Sequence, residues 1–88
     1  MKLVWSPQSW EEYQYWIEND KDVLKRINEL IKECKRAPFR GTGKPEPLKG
    51  PLQGWWSRRI TGEDRLVYRV RGKDDEQQLE IAQCRYHY

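Results

Sequence analysis

The sequence predicts an α+β fold, with two N-terminal helices packed on one face of a twisted antiparallel sheet. Three observations predict it. An apolar stripe at helical spacing runs from Val23 to Cys34. Three strand-like runs follow residue 54, separated by turns at Gly62 and Gly72. A proline- and glycine-rich stretch joins the two halves, too short and too punctuated to link separate domains. Eighty-eight residues make a single domain, 1–88. A chain of this size buries only about 60–65% of its unfolded surface, so the core is small.

Taken in order, Lys2 to Trp5 reads as a short strand broken by Ser6-Pro7. Ser9-Trp10-Glu11-Glu12 fits a capping box, with Ser9 as cap and Glu12 reaching back to it. Trp10, Tyr13, Trp16 and Ile17 follow at helical spacing. Asn19-Asp20 ends that helix and caps the next. Val23, Leu24, Ile27, Leu30, Ile31 and Cys34 then form one continuous stripe. Lys32, Lys35 and Arg36 suit the negative end of the helix dipole, and Pro38 stops the helix. Residues 37–54, with four of the five prolines and four of the six glycines, read as an ordered loop.

Residues 54–61, 65–71 and 79–84 are strand-like, and short turns between consecutive strands imply antiparallel pairing. Alternation in the second run points Leu66, Tyr68 and Val70 toward the helices. It sends Arg65, Val67, Arg69 and Arg71 to the opposite face. In the last run alternation slips between Ile81 and Cys84, so periodicity gives His87 no face.

Composition narrows the function. The chain is 36% hydrophobic and 35% charged, but 12% aromatic, with five Trp and five Tyr. Disordered chains lack such aromatics. No apolar run approaches the ~20 residues of a membrane span, and the N-terminus has no signal-peptide stretch, so a cytoplasmic location is expected. Cys34 and Cys84, far apart in sequence and in apolar surroundings, read as buried reduced thiols ahead of the alternative, a disulfide staple. One histidine and no Cys-x-x-Cys give no metal site and no cofactor.

The net charge of +3 is unevenly spread. Residues 1–34 carry five Lys/Arg against seven Asp/Glu, residues 35–72 ten against three, and residues 73–88 two against four. A basic middle flanked by acidic ends suits one binding surface for a polyanion.

Three groups carry candidate chemistry. Glu46, in Gly43-Lys44-Pro45-Glu46-Pro47-Leu48-Lys49, is held by flanking prolines; read alone, it is a loop acid balancing lysines. Arg58, Arg59, Arg65 and Arg69 line either a groove for phosphates or a solvated sheet face. Trp55, Trp56 and Tyr68 interleave with them, as stacking surfaces or as core. His87, in Cys84-Arg85-Tyr86-His87-Tyr88, is on its own a tail histidine.

Together, an acid, arginines and a histidine match one reaction class. RNA carries its own nucleophile, the 2′-hydroxyl. Cleavage needs a base for that proton, a cation for the crowded phosphorane and an acid for the leaving 5′-oxygen. Two other readings use the same basic face without that chemistry. One is an RNA-binding translational repressor that occupies a ribosomal site, and the other is an interaction module for an acidic partner.

The chain resembles the YoeB family of bacterial toxins, within the RelE-like mRNA interferases. The resemblance lies in Met1-Lys2-Leu3 with Trp5-Ser6, Ile27-Asn28-Glu29-Leu30-Ile31-Lys32 and Gly43-Lys44-Pro45-Glu46-Pro47-Leu48-Lys49. It lies most distinctively in Trp56-Ser57-Arg58-Arg59-Ile60-Thr61, Arg65-Leu66-Val67-Tyr68 and the closing Cys84-Arg85-Tyr86-His87-Tyr88. It implies a RelE-like fold and a metal-independent endoribonuclease that cuts mRNA in the A site of the ribosomal 30S subunit. By resemblance Glu46 is the general base, His87 the general acid and Arg65 the phosphate ligand, with Lys49, Arg59 and Tyr88 positioning RNA. A YefM-type antitoxin as inhibitor and a homodimer are also implied. Gly50-Pro51 stands where members often show a more polar pair, and the turn at residues 72–77 is longer and more acidic than usual.

Overall fold

The structure, a computed structural model, describes residues 1–87. The order is β1 (Lys2–Trp5), α1 (Pro7–Asn19), α2 (Lys21–Arg36), β2 (Glu46–Pro47), β3 (Trp56–Arg59), β4 (Arg65–Arg71) and β5 (Gln78–Gln83). The strands form one five-stranded sheet in the order β1-β5-β4-β3-β2.

The expected antiparallel sheet needs correcting. β2–β3, β3–β4 and β4–β5 are antiparallel, but β1 runs parallel to β5, from Lys2↔Gln78 to Trp5↔Ile81, and the sheet is mixed. Short turns fix direction only for the strands they join. β1 has no hairpin partner, and its direction follows from the helix that begins directly after it. β2 was also unforeseen. It is a two-residue edge strand holding a proline, a position that proline tolerates because an edge leaves one side of the ladder unpaired.

Asp20 caps α2 as expected, its carboxylate accepting from the backbone of Asp22 and Val23 at 3.1 Å each. One face of α2 buries Ile27, Leu30, Ile31 and Cys34 against Leu66, Tyr68, Leu79, Ile81 and Cys84. Each such aliphatic side chain contributes about 1.5–3 kcal/mol relative to exposure. Both cysteines are buried and unpaired, and burial pushes the Cys34 thiol up to about 11 and the Cys84 thiol up to about 12.

The capping box of α1 lies one turn earlier than expected. Ser6 is the cap, and it exchanges side-chain and backbone hydrogen bonds with Ser9, both at 3.0 Å. Glu12 is then released for another task. Trp10 and Ile17, expected in the apolar face, are each 44% exposed, while Ser9, Glu12 and Trp16 face the sheet.

Those polar groups are buried because β5 is irregular where they meet it. Val67 pairs with Gln83 but Tyr68 pairs with Ile81, so β5 carries an extra residue there, a bulge that interrupts the ladder. This is the slip in alternation seen in the sequence. α1 satisfies the groups left over. Ser9 Oγ donates to the Ile81 carbonyl at 2.7 Å, and Ser6 Oγ donates to that of Ala82 at 3.1 Å. The Cys84 N–H donates to Glu12 Oε1 at 2.8 Å, and Trp16 Nε1 donates to the Cys84 carbonyl at 2.9 Å.

Arg58 ties the long loop to this frame. It is fully buried, and all five guanidinium donor positions are used. Nε donates to Tyr68 Oη, Nη1 to Glu33 Oε1 and the Thr42 carbonyl, and Nη2 to the carbonyls of Ala37 and Arg40. Burial acts to lower the Arg58 pKa, but the bonds to Tyr68 and Glu33 outweigh it and the net shift is upward. Gly41, at φ +113°, lets the loop close over this pair, because a Cβ there would sit 1.7 Å from Glu33 Oε1. The loop then meets β3 through the Arg59 N–H, which donates to the Gly43 carbonyl at 2.7 Å.

Candidate active site

Opposed residues in antiparallel strands share a sheet face, as do alternate residues along a strand. Glu46 opposes Ser57, Ser57 opposes Val67, and Arg59 opposes Arg65. Glu46, Arg59 and Arg65 therefore occupy the face turned away from the helices. From strand spacing and rise, the Cα atoms of Glu46 and Arg65 are on the order of 12 Å apart. A carboxylate and a guanidinium reaching inward from that distance can touch one phosphodiester. Glu46 and Arg59 are exposed.

Arg65 is 8% exposed. Its Nη1 donates to the carbonyls of Thr61, Asp64 and Gly62 at 2.9, 3.1 and 3.3 Å, across the β3–β4 turn. Nε and Nη2 have no acceptor among the described residues. The turn carbonyls thus fix Nη1 and with it the plane of the guanidinium fork, the geometry on which two-pronged phosphate binding depends.

His87 reaches this place through the backbone. Beyond β5 the tail turns, and the Arg65 N–H donates to the Tyr86 carbonyl at 3.0 Å. The Tyr86 N–H donates to Asp64 Oδ1 at 2.7 Å, and Gln83 Nε2 donates to the Tyr86 carbonyl at 3.2 Å. Arg85 stacks on the Tyr15 ring at 3.4 Å, which fixes the tail to α1 as well. Tyr86 holds the tail by its main chain and not by ring packing, since its ring is 57% exposed while its N–H and carbonyl make the tethers. His87 is exposed and follows directly.

The remaining expected residues are less tightly gathered. Lys49 is exposed three residues beyond Glu46 and precedes a 3-10 turn, Gly50–Leu52, that contains Pro51. Tyr88 lies outside the described residues. Arg58 is removed from the expected groove because it is the buried cation described above. Arg69 is on the open face but engaged, with Nε 2.6 Å from Glu80 Oε1 and its guanidinium 4.2 Å from the Trp55 ring centroid. Burial raises the Glu80 carboxyl, but its bonds from Arg69 and Gln78 outweigh this and leave it lowered. The acidic turn holds a short exposed 3-10 segment, Asp74–Glu76.

Sequence reasoning missed Asp64 and gave Glu12 a capping role, whereas both are carboxylates that accept tail amides. Thr61-Gly62-Glu63-Asp64 carried a usable signal, since Thr and Asp three apart beside a glycine commonly bond their own turn.

Two helices against a five-stranded mixed sheet define an α+β fold that solved structures of YoeB-type toxins share. Residues 5–88 match the model of the YoeB-like toxin of bacterial type II toxin–antitoxin systems. The chain is 62% identical to Toxin YoeB of Escherichia coli K12 over all 88 residues of both chains. Its fold superposes on a YoeB/ParE toxin from Agrobacterium tumefaciens with a TM-score of 0.96, at 56% identity and full coverage of both. Two Staphylococcus aureus structures, a YoeB dimer and a heterotetrameric YoeB–YefM complex, give TM-scores of 0.86 and 0.87. Identities are 46% and 48%, each covering 100% of this chain and 98% of the other. The chain belongs to the YoeB family of toxins.

Proposed function

We propose that the protein is a ribosome-dependent endoribonuclease that cleaves mRNA in the A site of the 30S subunit and so arrests translation. The observation that carries this reading is the shared sheet face of Glu46, Arg59 and Arg65, with His87 one residue beyond the Arg65–Tyr86 backbone bond. Glu46 takes the proton from the 2′-hydroxyl. The oxygen attacks the adjacent phosphorus, and the Arg65 guanidinium stabilises the phosphorane. His87 gives a proton to the departing 5′-oxygen. General acid–base steps contribute about 10²–10⁴-fold and a preorganised donor about 10²–10³-fold. The nucleophile comes from the substrate, so the scheme uses no metal. Arg59, Lys49 and Tyr88 hold the RNA strand.

The complex in which a YoeB relative is bound to YefM supports an antitoxin of that type as inhibitor. The YoeB dimer among the similar structures supports a homodimer, and Trp10 and Ile17 offer exposed apolar surface on α1 for it. The substrate places the protein in the cytoplasm. Among the described residues no helix is long and apolar enough to cross a membrane.

Mapping the products from translating ribosomes tests the reaction. Ends bearing a 2′,3′-cyclic phosphate or 3′-phosphate are expected. A 3′-hydroxyl end means that water is the nucleophile and contradicts the scheme.

A further inference from the structure

We propose that Asp64 is a positioning residue for the RNA-cleaving site, joining the turn that locks Arg65 to the tail that carries His87. This rests on the reading of His87 and Arg65 given above.

Asp64 has more bonds of consequence than its place in an exposed turn suggests. Its Oδ2 accepts from Thr61 Oγ1 at 2.8 Å, and its own N–H donates back to that hydroxyl at 3.0 Å. This closes the turn on itself. Its carbonyl accepts from Ile60 N–H at 3.0 Å and from Arg65 Nη1 at 3.1 Å. Its second carboxylate oxygen, Oδ1, accepts from Tyr86 N–H at 2.7 Å. One residue therefore touches the guanidinium through its main chain and the tail through its side chain.

The arrangement also keeps the two charges apart. The carboxylate lone pairs are aimed at a hydroxyl and an amide. No ion pair joins Asp64 to Arg65 among the described residues, so the Asp64 carboxylate does not itself neutralise the cation. Tyr86 sits at φ +67°, a left-handed conformation that a tyrosine does not adopt without restraint. Bonds at both its N–H and its carbonyl supply that restraint. Removing the Asp64 acceptor leaves Tyr86 to relax toward negative φ. The next residue, His87, then swings away from Arg65. A misplacement of about 1 Å at a reacting group costs on the order of 10²-fold in rate.

The test compares the parent with Asp64→Ala and Asp64→Asn. The asparagine keeps an Oδ1 acceptor for the Tyr86 amide. Single-turnover cleavage is followed at saturating programmed ribosomes, and Tyr86 amide exchange is followed in the free protein by NMR. For Asp64→Ala the expected result is a maximal rate lower by about 10–100-fold. Its apparent ribosome affinity stays within twofold of the parent's, and its Tyr86 amide exchanges faster. Asp64→Asn recovers most of the rate and the amide protection. An Asp64→Ala protein that cleaves at the parental rate overturns the proposal. So does a loss confined to affinity, or an Asp64→Asn protein as slow as the alanine variant. If the parent itself does not cleave, the nuclease reading fails. Tyr86 exchange then still decides on the tether, which unchanged exchange in Asp64→Ala refutes.

Discussion

The backbone N–H of Arg65 donates to the carbonyl of Tyr86, 3.0 Å away. This bond joins the first residue of β4 to the tail just before His87. It ties the residue before His87 to the sheet, the fixed attachment that the proposed site requires of a segment where fraying is the rule. The tail is not an extension of β5. It is held by Arg65 and Asp64 on one side and by Glu12, Trp16 and Tyr15 of α1 on the other.

Replacing Tyr86 by proline tests that tether without touching a proposed catalytic group. Proline removes the N–H that Asp64 receives and fixes φ near −65°, against the +67° observed. Cleavage is expected to fall by about 10²-fold. Stability changes little, since the Tyr86 ring is 57% exposed. Cleavage assays on ribosomes paired with thermal melts check both. A melting loss as large as the activity loss contradicts the tether.

Adjacent arginines have opposite roles. Arg58→Ala strips hydrogen bonds from three loop carbonyls, Glu33 and Tyr68, and opens a buried space. It is expected to cost about 3–5 kcal/mol in urea unfolding. Arg59→Ala, at an exposed position, is expected to change stability by less than about 0.5 kcal/mol and to weaken RNA cleavage instead. Equal stability losses would contradict the division.

The same network makes stability depend on pH on the acid side. The Thr42 backbone N–H, at 2.6 Å, and then the Arg58 guanidinium hold the Glu33 carboxyl down at about 2, against 4.5 unperturbed. A lowered folded-state pKa gives stability that is fully present above pH 4.5 and lost as pH falls toward 2. Glu33→Gln is expected to be less stable than the parent at neutral pH, with the gap closing across that window. Urea titrations at several pH values measure this, and a gap that widens on acidification contradicts it.

These relationships show what was legible in the sequence. α2 was plain because Ile27, Leu30, Ile31 and Cys34 repeat at the helical period and Asp20 precedes them. Arg65 could be assigned to the open face because Arg65, Arg69 and Arg71 alternate with Leu66, Tyr68 and Val70, although Val67 on the arginine face is apolar and buried. Arg58 was misread because an arginine carries the same polar mark in solvent and in a core. The carbonyls that accept from it, at residues 37, 40 and 42, belong to a loop without periodicity. α1 was misread for the converse reason, because its sheet-facing positions are Ser9 and Glu12, chosen to satisfy a bulge in a distant strand. The bulge itself was visible as broken alternation. Its consequence for His87 depended on tethers between residues far apart in the chain.

The most direct test of the central claim compares Glu46→Gln and His87→Gln with the parent on translating ribosomes, measuring translation arrest and mRNA cleavage in the same samples. Each variant is expected to lose at least about 10²-fold in cleavage rate, and arrest is expected to fall with it. Arrest at full parental strength by both variants, with the mRNA intact, would mean that the toxin acts by occupying the ribosome and that the proposed chemistry is wrong.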